Sequence, residues 1–310
     1  MTSNLTKIKV VGVGGSGGNA VLRMKKCKIE GVELVAINAD AQDLKKTKAD
    51  LQVRVGQKIT QGLGTGMNPE IGRRAAEEQR GEIEEALKGS DMIFVTCGLG
   101  GGCGTGASPV VAEIAKNLGA LTVAVVTKPF SFEGKTRTKF AENGLRRLKE
   151  KVDSLIAISN DKLLEILDPN TTILNAFWVC DDILREAVKG ISDLIMLPGI
   201  INVNFADVKT ILQNSGTALF GTGRACGEKR AETAALIATS SPLLDISCRG
   251  AKGILFNVSG GKDISLSEID EVAKVICQEI NPEAKVIFGA VQGEKLKKGE
   301  IKVTVIATGF

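Results

Sequence analysis

Residues Gly100-Gly101-Gly102-Cys103-Gly104-Thr105-Gly106 place five glycines in seven positions. A stretch nearly free of side chains lets several backbone N–H groups converge on one anion. An apolar run at 92–95 precedes it and a helical pattern at 109–118 follows. Strand, glycine turn and helix start in that order also aim a helix dipole at the same point, which suits phosphate. The turn has no lysine, so it is not a G-x-x-x-x-G-K-[ST] loop, and backbone rather than a cation would hold the anion.

Two further glycine clusters widen the picture. Gly12-x-Gly14-x-x-Gly17 fits G-x-G-x-x-G, with Asp40 following it; alone it reads as a dinucleotide site or as tight packing. Gly62-Leu63-Gly64-Thr65-Gly66-Met67-Asn68-Pro69 would alone be a surface turn opening the next helix. One pyrophosphate needs one such loop. Three loops suit a triphosphate held from several sides, with Thr65 and Gly66 beside its terminal group.

Other pairs supply the rest of a nucleotide. In Glu133-Gly134-x-x-Arg137 an arginine offers phosphate a fork or stacks on a ring, and a glutamate accepts from a ribose hydroxyl. Elsewhere this would be a solvated ion pair. Phe177 and Asp181 lie four apart, on one helix face. An aromatic plane beside a carboxylate suits guanine, whose N1–H and exocyclic amine both donate; adenine lacks that pair. Core packing of Phe177 and solvation of Asp181 are the plainer alternatives. The cluster Asn202-x-Asn204-x-x-Asp207 would otherwise be a polar turn. A helix rising ~1.5 Å per residue would put it on the order of 30 Å from Phe177. It would then miss the phosphates of its own chain and reach those of a copy stacked head to tail, an open arrangement that builds filaments.

Composition excludes several chemistries. The chain has 310 residues, 43% hydrophobic and 25% charged, with a net charge of +4, which fits roughly two soluble domains of ~150 residues. Lysine and arginine are scattered, so a nucleic-acid face is not expected. No run approaches a membrane span, so no direct membrane insertion is expected, and no signal peptide is evident. Seven cysteines without a C-x-x-C pair read as reduced thiols, and no metal site is expected from them. Histidine is absent, which removes Ser-His-Asp, Cys-His and His-metal sites.

The elements that must position these residues alternate. Strands are expected at 8–13, 33–38, 92–96, 121–127 and 154–158. A glycine loop at 14–18 precedes a helix from 19 to 26, and further helices are expected at 68–88, 109–118 and 139–149. This is the pattern of a parallel sheet with helices on both faces. A long helix at 172–196, ended by Pro198-Gly199, leads to a second layer. Helices at 206–213, 230–238 and 266–280 and a strand at 253–258 belong to it. Strands at 285–288 and 301–308 around a polar turn complete an α+β unit.

Taken together, GVGGSGGNAV (12–21), GLGTGMNPEIG (62–72), GGGCGTG (100–106), PFSFEGKTR (129–137), NDKLL (160–164), NVNFADV (202–208) and the terminal ATGF make the chain similar to the tubulin-like FtsZ family of division GTPases. The resemblance implies a Rossmann-like parallel-sheet GTPase domain at 1–172, a central helix at 173–198 and an α+β activation domain at 199–310. It implies GTP or GDP as ligand, with Mg²⁺ held mainly by phosphate and water. The nucleotide residues would be Gly14, Gly15, Ser16, Gly17, Gly18, Asn19, Asn38, Asp40, Thr65, Gly66, Gly101, Gly102, Cys103, Gly104, Thr105, Gly106, Glu133, Arg137, Asn160, Phe177 and Asp181. Asp207, with Asn204 and Asn202, would position water in the next copy. Cytoplasmic filaments at the midcell ring, with tethers and regulators as further partners, are implied; the family's tail motif for such tethers does not occur up to Phe310. Cys103 replaces a usual Thr, Thr65 a common Ala and Asn204 a usual Asp. The Cys103 and Asn204 changes keep a second reading open, a filament protein with very slow or no hydrolysis, and the first glycine loop alone would also fit a Rossmann oxidoreductase.

Overall fold

The computed structural model describes residues 6–29, 31–165, 167–168, 170–197, 199–240, 248–292 and 296–310. Pro198, expected to end the long helix, and Gly293, in the expected final turn, lie outside them. The chain packs as two units, Met1–Lys189 and Gly190–Phe310.

The first unit alternates strand and helix. Its elements are β1 (Ile8–Val13), α1 (Gly14–Cys27), β2 (Val32–Asn38), α2 (Ala41–Lys46), β3 (Leu51–Arg54), α3 (Pro69–Glu78) and α4 (Arg80–Leu87). Then come β4 (Met92–Gly98), α5 (Cys103–Asn117), β5 (Leu121–Lys128), α6 (Lys135–Lys149), β6 (Ser154–Ser159) and α7 (Asn160–Leu164). The strands lie in the order β3-β2-β1-β4-β5-β6, every pair parallel. All six residues of β1 are buried, as are the first six of β4, because helices cover both faces of a parallel sheet. Val11, Ile37, Val95, Ala124 and Val111 meet in the core on one side. Strand order reverses between β1 and β4, the switch point where such sheets bind ligands at their carboxyl ends.

Helix α8 (Ile173–Met196) carries the boundary between the units. The second unit holds α9 (Phe205–Leu212), β7 (Gly216–Cys226), α10 (Arg230–Thr239), β8 (Gly253–Gly260), α11 (Leu266–Gln278), β9 (Lys285–Gln292) and β10 (Glu300–Thr308). Its strands run β7-β10-β8-β9, with β10 antiparallel to both neighbours and β8 parallel to β9. The capping box of α11 is present: Ser265 accepts from Glu268 N, and Glu268 accepts from Ser265 N at 2.9 Å. Glu268 also pairs with Arg230 at 2.5 Å, tying α10 to α11.

Several local expectations change. Residues 14–18 form the first turn of α1 rather than a loop, and α5 begins at Cys103, inside the glycine run. Both helices start early because their glycines pack against backbone. A Cβ at Gly17 would strike Thr96 O, and one at Gly106 would strike Pro69 O. The helix expected over 68–88 breaks at Gln79, whose side chain accepts from Gly56 N at 2.5 Å. Strand β7 carries no clear apolar alternation because Gly221 and Gly223 lie under α10, where Cβ atoms would strike Ala238 O and Ala234 O. The last two strands are not neighbours, since β8 lies between β10 and β9.

Candidate functional site

Helix starts define the site. A helix leaves its first N–H groups unpaired, and a side-chain cap or a ligand must satisfy them. Asp40 caps α2, accepting from Gln42 N at 2.8 Å and Asp43 N at 3.0 Å. Asn68 caps α3, accepting from Glu70 N at 2.9 Å. Helices α1 and α5 have neither a side-chain cap nor an acid in the first turn. The first residues of these two helices line one cavity of about 630 Å³: Gly15 and Ser16 from α1, and Cys103 and Gly104, with Gly101 and Gly102 before them, from α5. Two uncapped helix starts at one cavity offer unpaired N–H groups and aligned dipoles suited to an anion.

Close packing makes the approach possible. Gly14 adopts φ +73° at the β1–α1 junction, a conformation costly for a side chain. A Cβ on Gly102 would overlap Thr65 Oγ1, so the 62–68 segment lies directly on the glycine turn. Gly100 adopts φ +100°, and its N–H donates to Thr105 Oγ1 at 2.8 Å, pinning that turn to α5. Burial pushes the Cys103 thiol up to about 11, so it stays neutral and adds no charge beside an anion. On the β2 side, Asn38 Nδ2 donates to Asp43 Oδ2 at 2.8 Å, which places that carboxylate near Gly15.

The other end of the cavity is built from α8 and the segment after β5. Phe177, 39% exposed, meets Phe130 in a T-shaped contact at 5.4 Å, so at most one of its faces is covered by that ring. Asp181 is 7% exposed, and Arg23 Nε donates to its Oδ2 at 3.1 Å. Burial pushes the Asp181 carboxyl up to about 6, against the pull of Arg23. Glu133 accepts from Phe130 N at 2.9 Å and pairs with Arg137. Asn160 is buried, and its Oδ1 has no partner among the described groups; a buried acceptor left unpaired costs free energy, so this one is available to a ligand donor.

The expected residues divide clearly. Gly15, Ser16, Asn19, Asn38, Asp40, Thr65, Gly66, Gly101, Gly102, Cys103, Gly104, Glu133, Arg137, Asn160, Phe177 and Asp181 all line this cavity. Gly14, Gly17, Gly18, Thr105 and Gly106 lie outside its lining; Gly17, Gly18 and Gly106 pack against Thr96, Thr47 and Pro69. Asn202, Asn204 and Asp207 belong to the second unit, at the start of α9. There Asn204 Oδ1 accepts from Asp207 N at 2.8 Å, Asp207 Oδ2 accepts from Asn204 N at 3.3 Å, and Asn202 Oδ1 accepts from Gly199 N at 2.6 Å. Leu63 and Met67 of the 62–69 cluster also line the cavity, as do Asp43 and Cys180, which the sequence did not single out. Asp43 sits in a helix that gave no pattern of its own, and Cys180 was legible only as the neighbour of Asp181.

A Rossmann-type strand order with two uncapped helix starts at its switch point defines a nucleotide-binding protein. Comparison with known proteins narrows the class. Residues 7–168 match the model of the Tubulin/FtsZ family GTPase domain, and residues 216–310 match that of the FtsZ family C-terminal domain. The chain is 50% identical to a structure given as the empty FtsZ dimer of M. jannaschii, over 99% of this chain and 89% of that one, with a TM-score of 0.95. The W319Y mutant of M. jannaschii FtsZ gives 50% identity over 98% and 91%, with a TM-score of 0.94. The GTPγS-bound protofilament of CetZ2 from Haloferax volcanii shares the fold at 21% identity, over 97% and 92%, with a TM-score of 0.81. The chain belongs to the FtsZ family of tubulin-like GTPases.

Proposed function

We propose that this chain binds GTP in the cavity at the β1–β4 switch point, polymerises head to tail and hydrolyses GTP where one copy meets the next. In this reading residues 1–172 bind nucleotide, 173–198 form the connecting helix and 199–310 supply the opposing face. The resulting filaments would serve a cytoplasmic division ring at midcell. No helix among the described residues is long and apolar enough to cross a membrane. Relatives given as an FtsZ dimer and a CetZ2 protofilament support self-association.

The observation that carries the reading is the pair of uncapped helix starts opposite an aromatic–carboxylate pair in one cavity. The N–H groups of Gly15, Ser16, Cys103 and Gly104 would bind phosphate oxygens and stabilise charge growing on them. Phe177 would stack on guanine and Asp181 accept from its N1–H and amine. Each carboxylate lining the cavity already has a partner: Asp40 caps α2, Asp43 holds Asn38, Glu133 holds Arg137 and Asp181 holds Arg23. In this reading Asp207 of the neighbouring copy, with Asn202 and Asn204, would orient the attacking water. A carboxylate is a weak base toward water, so Asp207 would position water rather than remove its proton.

Magnesium fits this donor set. Four lining carboxylates face one lining guanidinium, Arg137, so a triphosphate would bring a counter-cation. The described residues hold no group of three or more His, Cys, Asp or Glu arranged for a metal. Phosphate and water would therefore be the main ligands, with Asp40 and Asp43 binding the waters. When bound, the ion neutralises phosphate charge.

One observation favours slow turnover as a second reading. The side chains of Asn204 and Asp207 are engaged with each other's backbone in the α9 cap, and Asn204 brings no charge. Light scattering and phosphate release, both followed against protein concentration with GTP, test the proposal. Filaments with concentration-dependent release support it. Filaments without release leave the second reading, and GTP hydrolysis at equal specific rate in dilute monomer overturns the shared site.

A further inference from the structure

Asp181 is a difficult residue for its role. It is 7% exposed, and burial favours its neutral form, which cannot accept from both guanine donors. A single cation of the first unit answers this. Arg23, on α1, donates from Nε to Asp181 Oδ2 at 3.1 Å, and its guanidinium carbon lies 4.4 Å from the centre of the Trp178 ring. Trp178 and Asp181 are three apart on α8, so they share a face. The arginine is thus gripped by an aromatic plane and a carboxylate of one helix. The other charged group acting on Asp181 is Asp182, on its own helix, and it opposes ionisation. Glu133 and Arg137 line the same cavity but pair with each other.

We infer that Arg23, locked by Trp178, is a positioning residue for guanine recognition: it keeps Asp181 ionised and takes one lone pair of Oδ2, leaving acceptor sites on both oxygens for the two donors of the base edge. Trp178 supplies the cation–π hold that keeps the guanidinium from turning to solvent. This rests on the reading of the cavity as a guanine site. Arg23 does not line the cavity, and it enters recognition only through the charge and orientation it gives Asp181. A plain staple between α1 and α8 would use the same contacts, so stability alone does not distinguish the two roles.

The test uses GDP and IDP, which differ only in the exocyclic amine and are not turned over. Their dissociation constants are measured by calorimetry between pH 5 and 8. Because both carry the same phosphates, the ratio of the two constants cancels phosphate titration and reports the base edge. Wild type should prefer GDP by about tenfold or more at pH 7.5, losing that preference as pH falls below about 6. Arg23→Gln should move this loss upward by about 1–3 pH units and reduce the preference at pH 7. Arg23→Lys, which keeps the charge, should restore most of it. Trp178→Ala should give an intermediate shift and Trp178→Phe a smaller one. If Arg23→Gln weakens GDP and IDP equally with an unchanged pH midpoint, Arg23 is only a staple and the inference is overturned. If wild type fails to prefer GDP at any pH, the guanine reading falls, and this inference with it.

Discussion

In the proposed site, Asp181 would trade stability for recognition. Its carboxyl is pushed up to about 6 by burial, against Arg23, while the unfolded value is about 3.9. Between those values the folded chain holds a proton that the unfolded chain has lost. The Asp181 contribution to stability therefore falls as pH rises from about 4 to 6, and stays low above that window. Nucleotide-free Asp181→Asn should be more stable than wild type by roughly 1–3 kcal/mol at pH 7.5 and close to wild type at pH 4, measured by urea unfolding. The same variant should lose about tenfold or more in GTP affinity. An equal stability difference at both pH values would show that its charge is not the destabilising feature. At this scale the sequence was readable where partners were local. Phe177 and Asp181 announce themselves by a four-residue spacing, whereas Arg23 lies 158 positions from Asp181 and offers no signal.

At the scale of elements, glycines and caps decide which helix ends are available to a ligand. Gly106 allows α5 to approach α3 at Pro69, where a Cβ would overlap the carbonyl oxygen. Gly106→Ala should destabilise the protein by about 1–3 kcal/mol and weaken nucleotide binding by shifting α5, although residue 106 lies outside the cavity lining. Unchanged thermal unfolding would reject this account of the close approach. Asn68→Ala should cost about 1 kcal/mol by uncapping α3, with no comparable change in guanine preference. The α9 start offers a gain. Aspartate caps as well as asparagine, so Asn204→Asp should fold like wild type while adding a carboxylate near Asp207. Phosphate release should rise severalfold; a rate equal to wild type would remove the charge deficit as the reason for slow turnover. The glycine motifs were visible in sequence, but their division into uncapped helix starts and packing positions was not. That division depends on what lies opposite each glycine, such as Thr96 for Gly17 and Pro69 for Gly106.

At the scale of the whole molecule, the proposed hydrolytic site is shared between copies. If Asp207 of one copy serves the nucleotide of the next, two crippled variants should rescue each other. Asp207→Ala retains the cavity, and Asp181→Ala retains the α9 residues. An equimolar mixture should release phosphate from GTP faster than either variant alone, because about a quarter of randomly formed head-to-tail contacts join an intact cavity to an intact Asp207. A mixture no faster than the mean of the two would refute the division of labour.

By itself, the sequence determined the α/β class, the long helix, the three glycine segments and the family, because these rest on periodicities and motifs that are short in the chain. Tertiary structure alone decided which helix starts stay uncapped, which glycines serve packing and which cation answers Asp181. Each of these depends on one segment meeting another far away in the chain, and periodicity along one segment carries no information about its neighbour in space.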